Sequence, residues 1–121
     1  MTRAQREALR AVATPEAPEE LLLRLWKGLE EAGLLPHLWG IATLEGVTLA
    51  DILSRSRMKS IVRARHACFW MIREGYGKSS TEVGKLFGVD HTTVLDGVRS
   101  HERRLEDERA RTREEAADAY A

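Results

Sequence analysis

Cysteine is all but missing from this chain, with Cys68 the one thiol in 121 residues. An intrachain disulfide is therefore excluded, and the apolar neighbours of Cys68 make it a core candidate suited to a reducing compartment. Long apolar runs are missing too: none approaches the roughly 20 residues that span a bilayer. The opening MTRAQREALR lacks the apolar centre of a secretion signal. A soluble, cytoplasmic protein with no membrane partner is expected. Strand-period alternation and internal repeats are also wanting, so the expected fold class is all-α.

Catalytic and metal constellations are scarce in the same way. His37, His66, His91 and His101 are scattered, and no second cysteine or close carboxylate pair completes a metal set. His91 and His101 lie nearly three helical turns apart, too far to share one ion. His66 and Cys68 are two residues apart on a helix and point to different faces, which separates a thiol from its base. The sequence GYGKSS contains Gly77, Lys78 and Ser79, but a Walker loop needs a glycine where Ile72 stands and a strand in front of it. No catalytic residue, nucleotide, metal or cofactor is expected.

Net charge is absent as well: 19 basic and 19 acidic residues cancel. The cancellation hides a segregation. Residues 1–53 hold five basic and eight acidic side chains, residues 54–78 seven and one, and residues 79–121 seven and ten. The middle segment therefore carries +6 between flanks of −3 each. Because screening confines each charge to roughly 8–10 Å, this local density is what a phosphate backbone would meet.

What is present is helical periodicity. Residues 1–12 suit a polar helix with only Leu9, Val12 and alanines to bury, a segment expected to fray. Residues 14–20, TPEAPEE, read as a linker running into a helix start with acidic first-turn residues. Leu21, Leu22, Leu25, Trp26 and Leu29 mark an amphipathic helix stopping near Gly33, and Pro36 opens another through about Glu45. Trp26 and Trp39 are expected in the core, with a partner or dimer surface as the alternative for this hairpin. Thr48 and Asp51 suggest a capping box, Ile61 to Ile72 the most hydrophobic helix, and Ser79 with Glu82 a second capping box.

Residues 81–105, TEVGKLFGVDHTTVLDGVRSHERRL, predict two helices around a tight turn. Val83, Leu86 and Phe87 share one face, and Val94, Leu95 and Val98 another. Gly88 can take the left-handed conformation that ends a helix, and Asp90 or Thr92 can cap the next. This is the plan of a helix-turn-helix. Its second helix would present Asp90, His91, Thr92 and Thr93 to base edges in a major groove, with capping alone as the alternative. Lys78 and the amides of the following helix start suit a DNA phosphate. After Leu105 the chain is charged nearly all round, which suggests a solvated helical tail.

The segment VTLADILSRSRMKSIVRARHACFWMIRE followed by SSTEVGKLFGVDHTTVLDGVRSHERRL closely resembles the C-terminal DNA-binding domain of the bacterial replication initiator DnaA. The resemblance covers residues 36–105, and SRSR, RAR and DHTTVL in that order are its specific marks. It implies a small helical bundle with a helix-turn-helix that binds a short duplex site, the DnaA box. The residues matching Asp90, His91, Thr92 and Thr93 would contact the major groove, and Arg63 would enter the adjoining minor groove. Arg57, Arg73, Lys78 and Thr81 would lie at or near the backbone, and Arg55, Lys59, Arg65 and Ser80 complete the expected phosphate-contacting set.

This sequence departs from the family in places. The turn FGVDH is one residue shorter, with Val89 where an arginine is common, so docking angle and base preference are expected to differ. RAR replaces arginine-proline-arginine, and Thr81 replaces a common proline. Residues 1–35 are too short for the family's ATPase domain and carry no Walker motif, so no ATP-driven filament is expected.

The expected organisation is a partly flexible N-terminal helical extension (1–35), the helix-turn-helix domain (36–105) and a charged tail (106–121). The expected function is sequence-specific binding of double-stranded DNA, in the cytoplasm and at the nucleoid, in regulation of replication or transcription. The rival reading is a protein-interaction module, in which the N-terminal hairpin binds a replication protein or a second copy of the chain.

Overall fold

The computed structural model describes residues 1–120, and among these every regular element is an α-helix. In chain order they are α1 (Arg3–Val12), α2 (Glu19–Glu31), α3 (Leu35–Glu45), α4 (Leu49–Leu53), α5 (Lys59–Tyr76), α6 (Ser80–Phe87) and α7 (His91–Ala119).

Local chemistry explains most boundaries. Thr48 accepts from the Asp51 amide while the Asp51 carboxylate accepts from the Thr48 amide, and Ser79 and Glu82 do the same for α6. Each reciprocal pair satisfies amides that a helix start leaves without partners. The backbone bonds to Ser79 also hold the Glu82 carboxyl below its usual range. Gly77 and Gly88 end α5 and α6 at φ of 66° and 67°, a conformation that would strain a residue with a Cβ.

The core is continuous. Cys68, Phe69 and Ile72 of α5, Val83 and Phe87 of α6, and Val94 and Val98 of α7 are buried together, with Phe69 and Phe87 edge to face at 5.0 Å. Burial raises the pKa of the Cys68 thiol, so it packs as a small apolar group rather than reacting as a thiolate. Gly97 lets α7 come close to α5. A Cβ there would lie 2.8 Å from carbons of both His66 and Phe69.

One expectation, that for Trp39, is corrected by this packing. Leu9 of α1 is fully buried in the same core as Leu22, Leu25, Trp26 and Leu29 of α2, and α1 packs on α2 and α4. Trp26 is core as expected, but Trp39 is 66% exposed: Leu38 and Ala42 supply the buried face of α3, and Trp39 falls on its outer edge. Residues 106–119 continue α7, which runs unbroken from His91 to Ala119.

Candidate nucleic-acid interface

The turn between α6 and α7 is wedged from three sides. Inside it, the amides of Gly88 and Val89 both donate to the Gly84 carbonyl, the latter at 2.9 Å. Gly84 must be glycine here, because a Cβ would sit 2.6 Å from the Val89 carbonyl oxygen. Outside it, Arg55 Nη2 donates to the Gly88 carbonyl at 2.8 Å, and Leu25 of α2 lies against the Gly88 backbone. The N-terminal hairpin thus buttresses the helix-turn-helix directly.

The turn releases α7 with its polar start facing solvent. Asp90 caps the helix by accepting from the Thr92 amide at 3.3 Å, and the same carboxylate oxygen lies 2.8 Å from His91 Nδ1. That contact places the Nδ1 proton toward Asp90 and leaves Nε2 pointing away, an acceptor when the ring is neutral. His91, Thr92 and Thr93 are exposed, while Val94, one residue on, is fully buried. Capping therefore uses one of the four polar residues and leaves three available.

The basic segment alternates structural and exposed side chains. Buried Ser54 donates to the Asp51 carbonyl at 2.6 Å and accepts from the Ser56 amide, and Ser56 accepts from the Met58 amide. Arg65 lies under this loop. Its Nε donates to the Ile52 carbonyl at 2.8 Å, and its Nη2 to the Ser54 carbonyl at 2.7 Å, with longer bonds to the Ser56 carbonyl. Burial first, and Arg55 second, lower its pKa. The Arg65 guanidinium is thus turned inward, whereas Arg57, Lys59 and Arg63 are exposed and share one cleft where the start of α5 meets α7.

The remaining residues lie elsewhere. Lys78 is half-buried in a cleft between α2 and α6 that Arg24 and Lys85 also line. Ser80 opens α6 half-buried, Thr81 beside it is exposed, and Arg73 is half-buried on α5. Sequence reasoning missed Arg104. It joins Arg57, Lys59 and Arg63 in their cleft from the middle of α7, within the segment read as the second helix of the helix-turn-helix but given no role there. No pattern in the sequence marks it, because only the packing of α5 on α7 brings it beside Arg63.

No helix among the described residues is long and apolar enough to cross a membrane. The family described as bacterial dnaA protein helix-turn-helix matches residues 40–100. The chromosomal replication initiator protein DnaA of Leptothrix cholodnii is 42% identical over 60 residues, which are 49% of this chain and 12% of that protein. Its counterpart from Caulobacter vibrioides is 41% identical over 55 residues, 45% of this chain and 11% of the relative. The Burkholderia multivorans protein is 38% identical over 72 residues, 59% and 13% respectively. The chain thus spans only 11–13% of the length of these relatives. No solved structure matches it.

Proposed function

This chain belongs to the bacterial DnaA helix-turn-helix family, and from that premise we propose that it reads DnaA-box-like sites in double-stranded DNA and acts there without catalysis. The observation that carries this reading is the start of α7, where His91, Thr92 and Thr93 stand exposed beyond a turn braced by Arg55 and Leu25. Preformed, rigid recognition groups lose little entropy on binding.

In the major groove, the two threonine methyls meet thymine methyls. His91 Nε2, oriented through its Nδ1 contact to Asp90, meets a base edge. Arg63 enters the adjoining minor groove, where a narrow A/T-rich tract concentrates negative potential. Each well-made base contact discriminates by about 1–3 kcal/mol. Arg57, Lys59, Arg73, Lys78, Ser80 and Thr81 supply backbone contacts, which add affinity without sequence information. Arg55 and Arg65 serve the interface from behind, by holding the turn and the loop. The role is regulation of replication initiation or of transcription at such sites, on the nucleoid.

Binding to a box-containing duplex and to a scrambled one, across several salt concentrations, tests this. Preference for the box is expected, and Arg63→Ala and His91→Ala each reduce it. Lys78→Ala weakens both duplexes alike and flattens the salt dependence. Equal weak binding of the unsubstituted chain to both duplexes would sink the reading.

A second reading concerns protein partners and rests on α3. Trp39 and Leu44 are 66% and 88% exposed, and Trp39 lines a groove together with Trp26, Val47 and Leu49. Exposed aromatics at a groove are the usual anchors of protein contacts. A second copy of the chain, or a replication protein, docks there in this reading. A dimeric solution mass that Trp39→Ala reduces to a monomer supports the former.

A further inference from the structure

We propose that Arg104 is a backbone-phosphate contact, completing with Arg57, Lys59 and Arg63 a four-cation notch that grips the DNA strand beside the minor groove. The proposal rests on the duplex-binding function above. It adds a residue beyond the family match at residues 40–100.

The notch is built from three parts of the chain. The loop before α5 gives Arg57, the first two turns of α5 give Lys59, Arg63 and His66, and α7 gives Arg104. No carboxylate lines it. Like charges gathered in one notch repel: Arg63 lowers the Arg104 pKa, behind burial, which lowers it most, and Glu45, which raises it. A polyanion entering the notch relieves that repulsion and releases its own counterions.

Arg104 is also oriented. Its Nη2 lies 2.7 Å from His101 Nδ1, and the His101 ring packs on Trp70 with centroids 5.2 Å apart. Burial, then the charge on Arg104, lower the His101 pKa, so the ring is neutral and Nδ1 accepts the guanidinium bond. The other guanidinium donors are free to bind. None of the ion pairs among the described residues takes Arg104, although Glu45 and Glu108 both act to raise its pKa. Arg109, little more than a turn further on, is different: its cleft is lined by Glu74, Glu102 and Glu106.

The position suits the geometry of a duplex. A minor groove is about 6 Å wide, so an arginine inserted into it passes between two rows of phosphates. A second guanidinium beside it, carried by a different helix, meets the flanking row. Thirteen residues of helix separate His91 from Arg104, about 20 Å along the axis, so an Arg104 contact to phosphate lies well away from the base contacts proposed for His91.

The test compares full-length Arg104→Gln with Arg109→Gln and the unsubstituted chain, on box and scrambled duplexes across salt. Glutamine keeps a donor for His101 while removing the charge. Arg104→Gln is expected to weaken binding to both duplexes, leave their ratio unchanged, and flatten the slope of log K against log salt by about 0.9. Arg104→Lys retains the slope, since a point charge suffices at a phosphate, and Arg109→Gln leaves it unchanged. Arg104→Met, equally neutral, serves if the glutamine variant does not fold. An unchanged slope for the neutral variant, or an equal flattening by Arg109→Gln, overturns the proposal while leaving box reading intact. Equal binding of the unsubstituted chain to both duplexes overturns box reading alone, and the slopes still decide Arg104. Binding to neither overturns both.

Discussion

Arg65 lies where the backbone runs out of partners. The last carbonyls of a helix have no intrahelical donor, and in α4, only five residues long, they are most of the element. A guanidinium offers five donors in a planar fork, enough to take the Ile52, Ser54 and Ser56 carbonyls at once. Arg65→Ala is therefore expected to destabilise the fold by about 1–3 kcal/mol, read as a lower urea midpoint at unchanged m. Arg65→Lys recovers little of it. The division between Arg63 and Arg65 was partly legible, since residues two apart on a helix point about 200° apart and one of the two had to face inward. Which one faced inward was not, because it depends on a loop ten residues upstream. Arg104 was illegible for a related reason: the charges around it alternate in sign along the sequence, and only the crossing of α5 and α7 gathers the positive ones.

At the scale of elements, caps and periodicity located the helices well. Thr48 with Asp51, Ser79 with Glu82, and Gly88 carried local chemistry that decides a boundary without help from the rest of the chain. The face of α3 was harder, because Leu35, Leu38, Trp39 and Ala42 satisfy a stripe of three-and-four spacing that a short helix can turn either way. The helix-turn-helix itself depends on a contact no periodicity reveals, the passage of the Val89 carbonyl across Gly84. Gly84→Ala forces a Cβ into that oxygen, and because the obstacle is backbone, the turn must move. The expected cost is about 1–3 kcal/mol, measured by thermal unfolding. Box preference falls as well, although no DNA-facing atom has been removed.

At the scale of the molecule, the N-terminal hairpin and the helix-turn-helix share one core. Leu9 has no exposed surface, so Leu9→Ala is expected to cost about 2–5 kcal/mol. Far-UV circular dichroism and tryptophan fluorescence should show the loss as one coincident, earlier transition; separate transitions would mean that the hairpin melts alone. The weight of α1 was hard to read in the sequence, because a polar helix with one leucine looks dispensable until that leucine is seen to be fully buried. The same unity makes α7 a pointer. Its 29 residues extend roughly 44 Å at 1.5 Å each, and its buried residues, Val94, Gly97 and Val98, all lie in the first third. A tilt of about 10° at the turn therefore sweeps the free end through roughly 8 Å. A spectroscopic label near Ala119 would read out, as a distance, the change in docking angle that a one-residue difference in the turn imposes at the DNA.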